Sequence, residues 1–204
     1  YGAPGLNPFG SPIHTYIATW PWGAYLGEDA LKNGVDVCVS SWLRAHPNTY
    51  PQRAKAGGHY LSAQLMKMEA LENGYVDAIA LAPTGLVSEG SGMNLFLVRN
   101  GVIISPFLDG TSLEGITRDS IILMANDLGY EMREQDIPRE SLYTADELFF
   151  TGTAAEVTPV RSVDRITIGS GTAGPVSLAL QEHFWETVKG ENDDPHGFLT
   201  YLDG

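Results

Sequence analysis

Cysteine is almost missing from this chain of 204 residues, and the one present, Cys38, has no partner for an internal bridge. It stands in the apolar run Val35-Asp36-Val37-Cys38-Val39, which reads as a buried, inert thiol rather than a nucleophile. A domain of this length buries roughly 70% of its unfolded surface and needs no disulfide staples; a reducing compartment is consistent with that. Basic residues are scarce as well. Twelve Lys and Arg against 25 Asp and Glu leave a net charge of −13, and the basic residues are scattered rather than clustered. Partners that demand basic patches, nucleic acid and anionic membrane surfaces, are therefore not expected. Membrane-length apolar runs, a signal peptide and internal repeats are also missing, so the chain reads as cytoplasmic.

What is present begins with a Gly- and Pro-rich stretch over residues 1–12 and no initiator methionine. It reads as a linker entered partway along, which implies further residues ahead of Tyr1 in the whole protein. Residues 13–190 read as the main domain and 191–204 as a loosely structured acidic tail. A strand is expected over Ile13 to Thr19, followed by the aromatic turn Trp20-Pro21-Trp22-Gly23-Ala24-Tyr25 and a second strand over Asp36 to Ser41. Tyr60 to Asn73 reads as a helix with Leu61, Leu65, Met68 and Leu71 as its apolar face, and with Met66 and Met68 as core fillers. Short strands follow, Asp77 to Ala82, Gly85 to Ser88, Met93 to Val98 and Val102 to Ser105, the last two joined by the hairpin dipeptide Asn100-Gly101. A second helix covers Ile116 to Leu128. Strands are expected at Met132 to Asp136, Glu147 to Thr151 and Val157 to Ser162, with a short helix and turn around Ser141 to Asp146. A helix over Pro175 to Val188 carries proline in its first turn. Strands and helices mix without regular βαβ alternation, so the expected fold class is α+β, or an irregular α/β domain.

Chemistry concentrates in a few small-residue turns. Lys55-Ala56-Gly57-Gly58-His59-Tyr60 sets a lysine on a Gly-rich turn at the mouth of the first long helix. The positive end of a helix dipole favours the neutral amine, the form that Schiff-base chemistry requires. Alone, the hexapeptide reads first as a surface lysine in a flexible turn, and the other segments reverse that. In Ser88-Glu89-Gly90-Ser91-Gly92-Met93-Asn94 a glutamate sits in a loop where backbone can approach a flat ring. It is either one more acidic loop or a carboxylate that keeps a pyridine nitrogen protonated. Leu113-Glu114-Gly115-Ile116-Thr117 opens a helix, either as a plain helix start or as a cup of free amides for a phosphate. Gly152-Thr153-Ala154-Ala155 is an ordinary turn or a second oxyanion-holding loop, and Trp22 with Tyr25 fills a core or walls an apolar pocket.

Together, Pro21 to Gly27, Val39 to Trp42, Lys55 to Tyr60, Ser88 to Phe96, Gly115 to Asp119 and Gly152 to Val160 resemble, in order and spacing, the branched-chain aminotransferases of the fold-type-IV pyridoxal-phosphate enzymes. The resemblance runs from about Gly2 to Gly197. It implies the large cofactor-binding domain of the D-amino-acid-aminotransferase-like fold, without its N-terminal domain. It implies pyridoxal 5'-phosphate as cofactor, Lys55 as the Schiff-base lysine and catalytic base, Tyr60 at the ring oxygen and Glu89 at the pyridine nitrogen. Leu113, Ile116, Thr117 and Thr153 join the cofactor site. Trp22, Tyr25, Tyr60, Thr153 and Ala154 join the substrate site. The implied partners are branched-chain amino acids, 2-oxo acids with 2-oxoglutarate among them, and further copies of the chain in a homodimer or larger assembly.

Two features depart from the pattern. His59 stands where asparagine is usual, and either packs or adds a titrating group. The family's N-terminal domain contributes a phosphate-binding arginine that this chain does not show; nothing in the sequence makes Arg44 its substitute, and Arg118 reads as a structural ion-pair partner. The alternatives are another enzyme of the same fold type, a D-amino-acid or amine transaminase or an aminodeoxychorismate lyase, or a homologue without turnover.

Overall fold

Two helical crossovers organise the sheet. The computed structural model describes residues 4–27 and 29–202. The first three residues of the 1–12 linker and the last two of the tail lie outside the described residues. After a single helical turn, α1 (Ala30–Asn33), strand β1 (Val35–Leu43) leads through a loop and a 3-10 turn (Gly57–His59) into α2 (Tyr60–Glu72). The chain returns as β2 (Asp77–Leu81), which lies parallel to β1, the arrangement that a crossover helix permits. A tight turn then sends β3 (Val87–Gly90) antiparallel along β2. The hairpin of β4 (Asn94–Arg99) and β5 (Val102–Ser105) follows. Its turn residues Asn100 and Gly101 both have positive φ, as a two-residue hairpin loop of that sequence requires. Helix α3 (Ile116–Asp127) is the second crossover and delivers β6 (Glu131–Glu134) parallel to β5. A 3-10 turn (Arg139–Thr144), β7 (Glu147–Gly152), β8 (Glu156–Val163), the short β9 (Ile166–Thr167) and α4 (Pro175–Lys189) complete the chain. The sheet order is β3-β2-β1-β8-β7-β4-β5-β6, with β9 beside β8, and mixed strand directions give the α+β architecture expected.

The central strands are covered on both faces, which explains their unbroken apolar runs. Leu95 and Leu97 of β4 join Val37, Ile79, Leu148 and Phe150 on one side. Phe96 and Val98 face the other way, with Phe149, onto Ile121, Met124, Val176 and Leu180 of α3 and α4. Phe96 and Phe149 stack at a centroid distance of 5.0 Å. Glu147 anchors α4 by accepting the amides of Val176 and Ser177 at 2.9 and 2.8 Å, which satisfies two orphan donors of that helix start.

Three expectations are corrected. Residues 12–24 form no strand, and Ile13 and Ile17 are almost fully exposed. β-Branched residues become a strand only beside a partner, and neither sheet edge takes this segment. On α2 the buried residues are Ala63, Met66 and Ala70, the last two packed with Cys38, Ala78 and Ala80, whereas Leu61, Leu65, Met68 and Leu71 are exposed. At 3.6 residues per turn these two stripes lie on opposite sides of the helix, and the small-residue patch of β1 and β2 takes the stripe that lets the helix approach closely. Met68 is thus no core filler, while Met66 is. The tail over residues 194–199 is docked rather than loose, though Tyr201 and Leu202 beyond it are exposed: Asp194 accepts the amides of Phe198 and Leu199, His196 pairs with Asp127 of α3, and Phe198 packs beside the core under α3 and α4. No described helix is long and apolar enough to cross a membrane.

Candidate active site

The segments that follow β1, β3, β5 and β7 line a single cavity of about 500 Å³, within the range of small-molecule sites. From the β1–α2 connection come Lys55, His59 and Tyr60. Glu89 comes from strand β3 itself, not from a loop as its small-residue company suggests, and Gly92 from the turn after it. The β5–α3 loop and the first turn of α3 supply Leu113 to Thr117, and the end of β7 with the turn after it supplies Thr151 to Ala155. Trp22 and Tyr25, outside any regular element and partly exposed, add an aromatic wall. Every residue singled out for a site in the sequence is therefore brought to this cavity: Lys55, Tyr60, Glu89, Leu113, Ile116, Thr117, Thr153, Trp22, Tyr25 and Ala154.

Lys55 Nζ donates to the Tyr60 hydroxyl at 2.8 Å, across the Gly-rich turn that separates them. Glu89 is buried, and desolvation pushes its carboxyl up to about 7 from the usual glutamate value. Arg44, the Leu113 amide and Lys55 oppose that push, while Asp109 adds to it. Glu89 Oε1 lies 3.1 Å from Arg44 Nη2, and Oε2 accepts from the Leu113 amide at 3.2 Å and Asn94 Nδ2 at 3.3 Å. Burial, with Asp77 and Tyr60 nearby, also raises the Tyr25 phenol. Helix α3 starts at Ile116 with the extended Gly115 as its N-cap and no capping side chain, so its first amides point toward the cavity rim unclaimed by any cap. Thr151 Oγ1 is buried there without a hydrogen-bond partner among the described residues.

His59 packs edge-on against Tyr50 at a centroid distance of 5.4 Å. Arg118 is buried and bonds to Ser105 Oγ, Asp119 and Glu134, the structural role expected of it. Arg44 and Asn94 are the residues that sequence reasoning misses. Asn94 links Glu89 to the Leu113 carbonyl, which it reaches at 2.9 Å. The lack of a Cβ on Gly115 lets it do so, since a methyl there would lie 2.0 Å from Asn94 Oδ1. The nearest signal in the sequence is the small-residue loop just ahead of Asn94, which does not say what that side chain touches, and Arg44 carries no such signal.

An amine on a phenol, a buried carboxylate, and uncapped helix amides around one cavity suit a ligand with an aldehyde, a ring nitrogen and a phosphate. Comparison with known proteins points the same way. The chain is 53% identical over 196 residues to the branched-chain-amino-acid aminotransferase of Escherichia coli (strain K12), covering 96% of this chain and 63% of the relative. Against the Pseudomonas aeruginosa (strain PAO1) protein of the same name it is 45% identical, covering 93% and 61%. The crystal structure of the Escherichia coli enzyme superposes with a TM-score of 0.88 at 53% identity, covering 90% of this chain and 60% of that one. A crystal structure of the T.th. branched-chain amino acid aminotransferase with pyridoxamine 5'-phosphate superposes with a TM-score of 0.85 at 51% identity, again covering 90% and 60%. The chain thus spans about three fifths of the length of these relatives. The family model of class IV amino-transferases matches residues 2–163, and the chain belongs to that family.

Proposed function

We propose that this chain carries the cofactor site of a pyridoxal-phosphate-dependent aminotransferase that moves the amino group between leucine, isoleucine or valine and 2-oxoglutarate. The observation that carries the reading is the Lys55–Tyr60 hydrogen bond of 2.8 Å on the wall of the cavity that the buried Glu89 also lines. The donor set fits the cofactor: one amine, one buried carboxylate, uncapped helix amides and the unpartnered hydroxyl of Thr151. When bound, pyridoxal phosphate supplies an aldehyde that captures amines and a protonated ring that accepts the electrons left when the α-proton departs. Lys55 Nζ would take that proton from the substrate Cα and give it up to the carbon of the cofactor's former aldehyde, and Tyr60 would orient the amine for both transfers. Glu89 holds the proton on the ring nitrogen, positioned in turn by Leu113 and Asn94.

The amides of Ile116 and Thr117, with Thr153, bind the phosphate. Thr153 and Ala154 stand beside the substrate carboxylate, and Trp22 and Tyr25 exclude water from the branched side chain. Homo-oligomeric assembly and a cytoplasmic setting complete the proposal. The test is borohydride reduction of the chain with pyridoxal phosphate, followed by peptide mapping. The pyridoxyl mass is expected on Lys55; label on another lysine with Lys55 unmodified overturns the assignment.

A further inference from the structure

Arg44 is a guanidinium with 7% of its side chain exposed, paired with a carboxylate that is equally buried. Its backbone amide donates to Leu81 O at 2.9 Å, which fixes the residue between the ends of β1 and β2. Its Nη2 reaches Gly90 O at 2.5 Å, Ser91 O at 2.9 Å and Glu89 Oε1 at 3.1 Å. One nitrogen therefore clamps both the end of β3 and the carboxyl that this strand carries. Meanwhile Nε is buried with no hydrogen-bond partner among the described residues, a standing cost. The charged groups that act on Glu89 are Arg44, Lys55 and Asp109, and only the first two favour its ionised form. Under the proposed function the amine of Lys55 is committed to the reaction. Arginine stays charged throughout, so Arg44 is the constant cation beside Glu89 among the described residues.

We propose that Arg44 is the positioning residue that biases Glu89 toward its ionised form and holds it against the cavity, so that a ring nitrogen bound there meets more carboxylate than it would without Arg44. This rests on the role given to Glu89 above, and the experiment separates the two. The 204-residue chain is labelled with glutamate carrying 13C at Cδ, the Glu89 resonance is assigned by its loss in Glu89→Gln, and its titration is followed without cofactor in the wild type and in Arg44→Lys, Arg44→Gln and Arg44→Met. Pyridoxal phosphate binding to each is read separately from absorption.

Removing an opposite charge at this distance moves a carboxyl by about one to three pH units. The midpoint of Glu89 is expected to rise by about that much in the Gln and Met variants, and to stay near the wild-type value in the Lys variant. An unmoved midpoint in Gln and Met, or a Lys variant displaced as far as Met, overturns the proposal. Should Arg44→Met fail to fold, the contrast between Gln and Lys decides. A Glu89 midpoint that moves as expected in a chain that takes up no pyridoxal phosphate upholds the role of Arg44 and refutes the cofactor reading alone.

Discussion

Gly115→Ala tests how tightly the Glu89 support is built. Gly115 has φ −75° and ψ 132°, a conformation open to alanine, so the substitution adds no backbone strain. The cost is steric: the new methyl would lie 2.0 Å from Asn94 Oδ1 and 3.2 Å from its Cγ. Asn94 is buried and must swing away, which gives up its bonds to the Leu113 carbonyl at 2.9 Å and to Glu89 at 3.3 Å. A neutral hydrogen bond contributes about 0.5–1.5 kcal/mol and one to a charged group about 1.5–3 kcal/mol, so the loss is about 2–4.5 kcal/mol. For a chain of this length that lowers the thermal midpoint by about 4–18 °C. Gly92→Ala is the control, because its methyl meets only Tyr25 Oη and Tyr60 Cε1 at 3.9 Å, an ordinary contact. Thermal unfolding of both variants, and of Asn94→Ala with and without Gly115→Ala, is the assay. The double variant should be no less stable than Asn94→Ala, since the clash has been removed. A Gly115→Ala protein that melts with Gly92→Ala, or costs that add in the double variant, would refute the reasoning.

That pair also shows where sequence reading stops. Gly115 reads from the sequence as the opening of a phosphate cup, which its place at the start of α3 supports, but its missing side chain is used by Asn94, 21 positions earlier. Local signals succeed where the physics is local. Asn100-Gly101 makes the hairpin, Pro175 opens α4, and the doubly covered β4 and β7 show as unbroken apolar runs. Periodicity identifies α2 as a helix but cannot choose between two apolar stripes, because only the small-residue surface of Cys38, Ala78 and Ala80 decides which one packs. Ile13 to Thr19 has the composition of a strand and no partner to make it one. Polar pairs between distant segments, Arg44 with Glu89 above all, leave no periodic trace, so the anchoring of the carboxylate was the least legible part of the site.

Two further outcomes follow from Glu89. Glu89→Gln keeps the side chain's shape but removes its charge, so leucine:2-oxoglutarate transamination should slow about 10²-fold relative to wild type while the cofactor is retained; near-normal turnover would contradict the role. The same variant reads out the buried charge without any cofactor. The folded carboxyl titrates near 7 against an ordinary glutamate value of 4.5, so between those pH values the native chain holds a proton that the unfolded chain has released. Stability from this group is thus fully present below pH 4.5, falls as pH rises, and levels off above 7. The difference of about 2.5 units corresponds to about 3 kcal/mol at 1.36 kcal/mol per unit. Glutamine does not titrate, so the stability of wild type relative to Glu89→Gln should drop by about that amount between pH 4.5 and pH 8. Subtracting the two denaturation series cancels every group they share, together with any constant cost of leaving Arg44 beside an amide. A wild-type-minus-variant difference that stays flat across that range would mean that Glu89 is ionised at no cost, and that Arg44 and the Leu113 amide outweigh its burial.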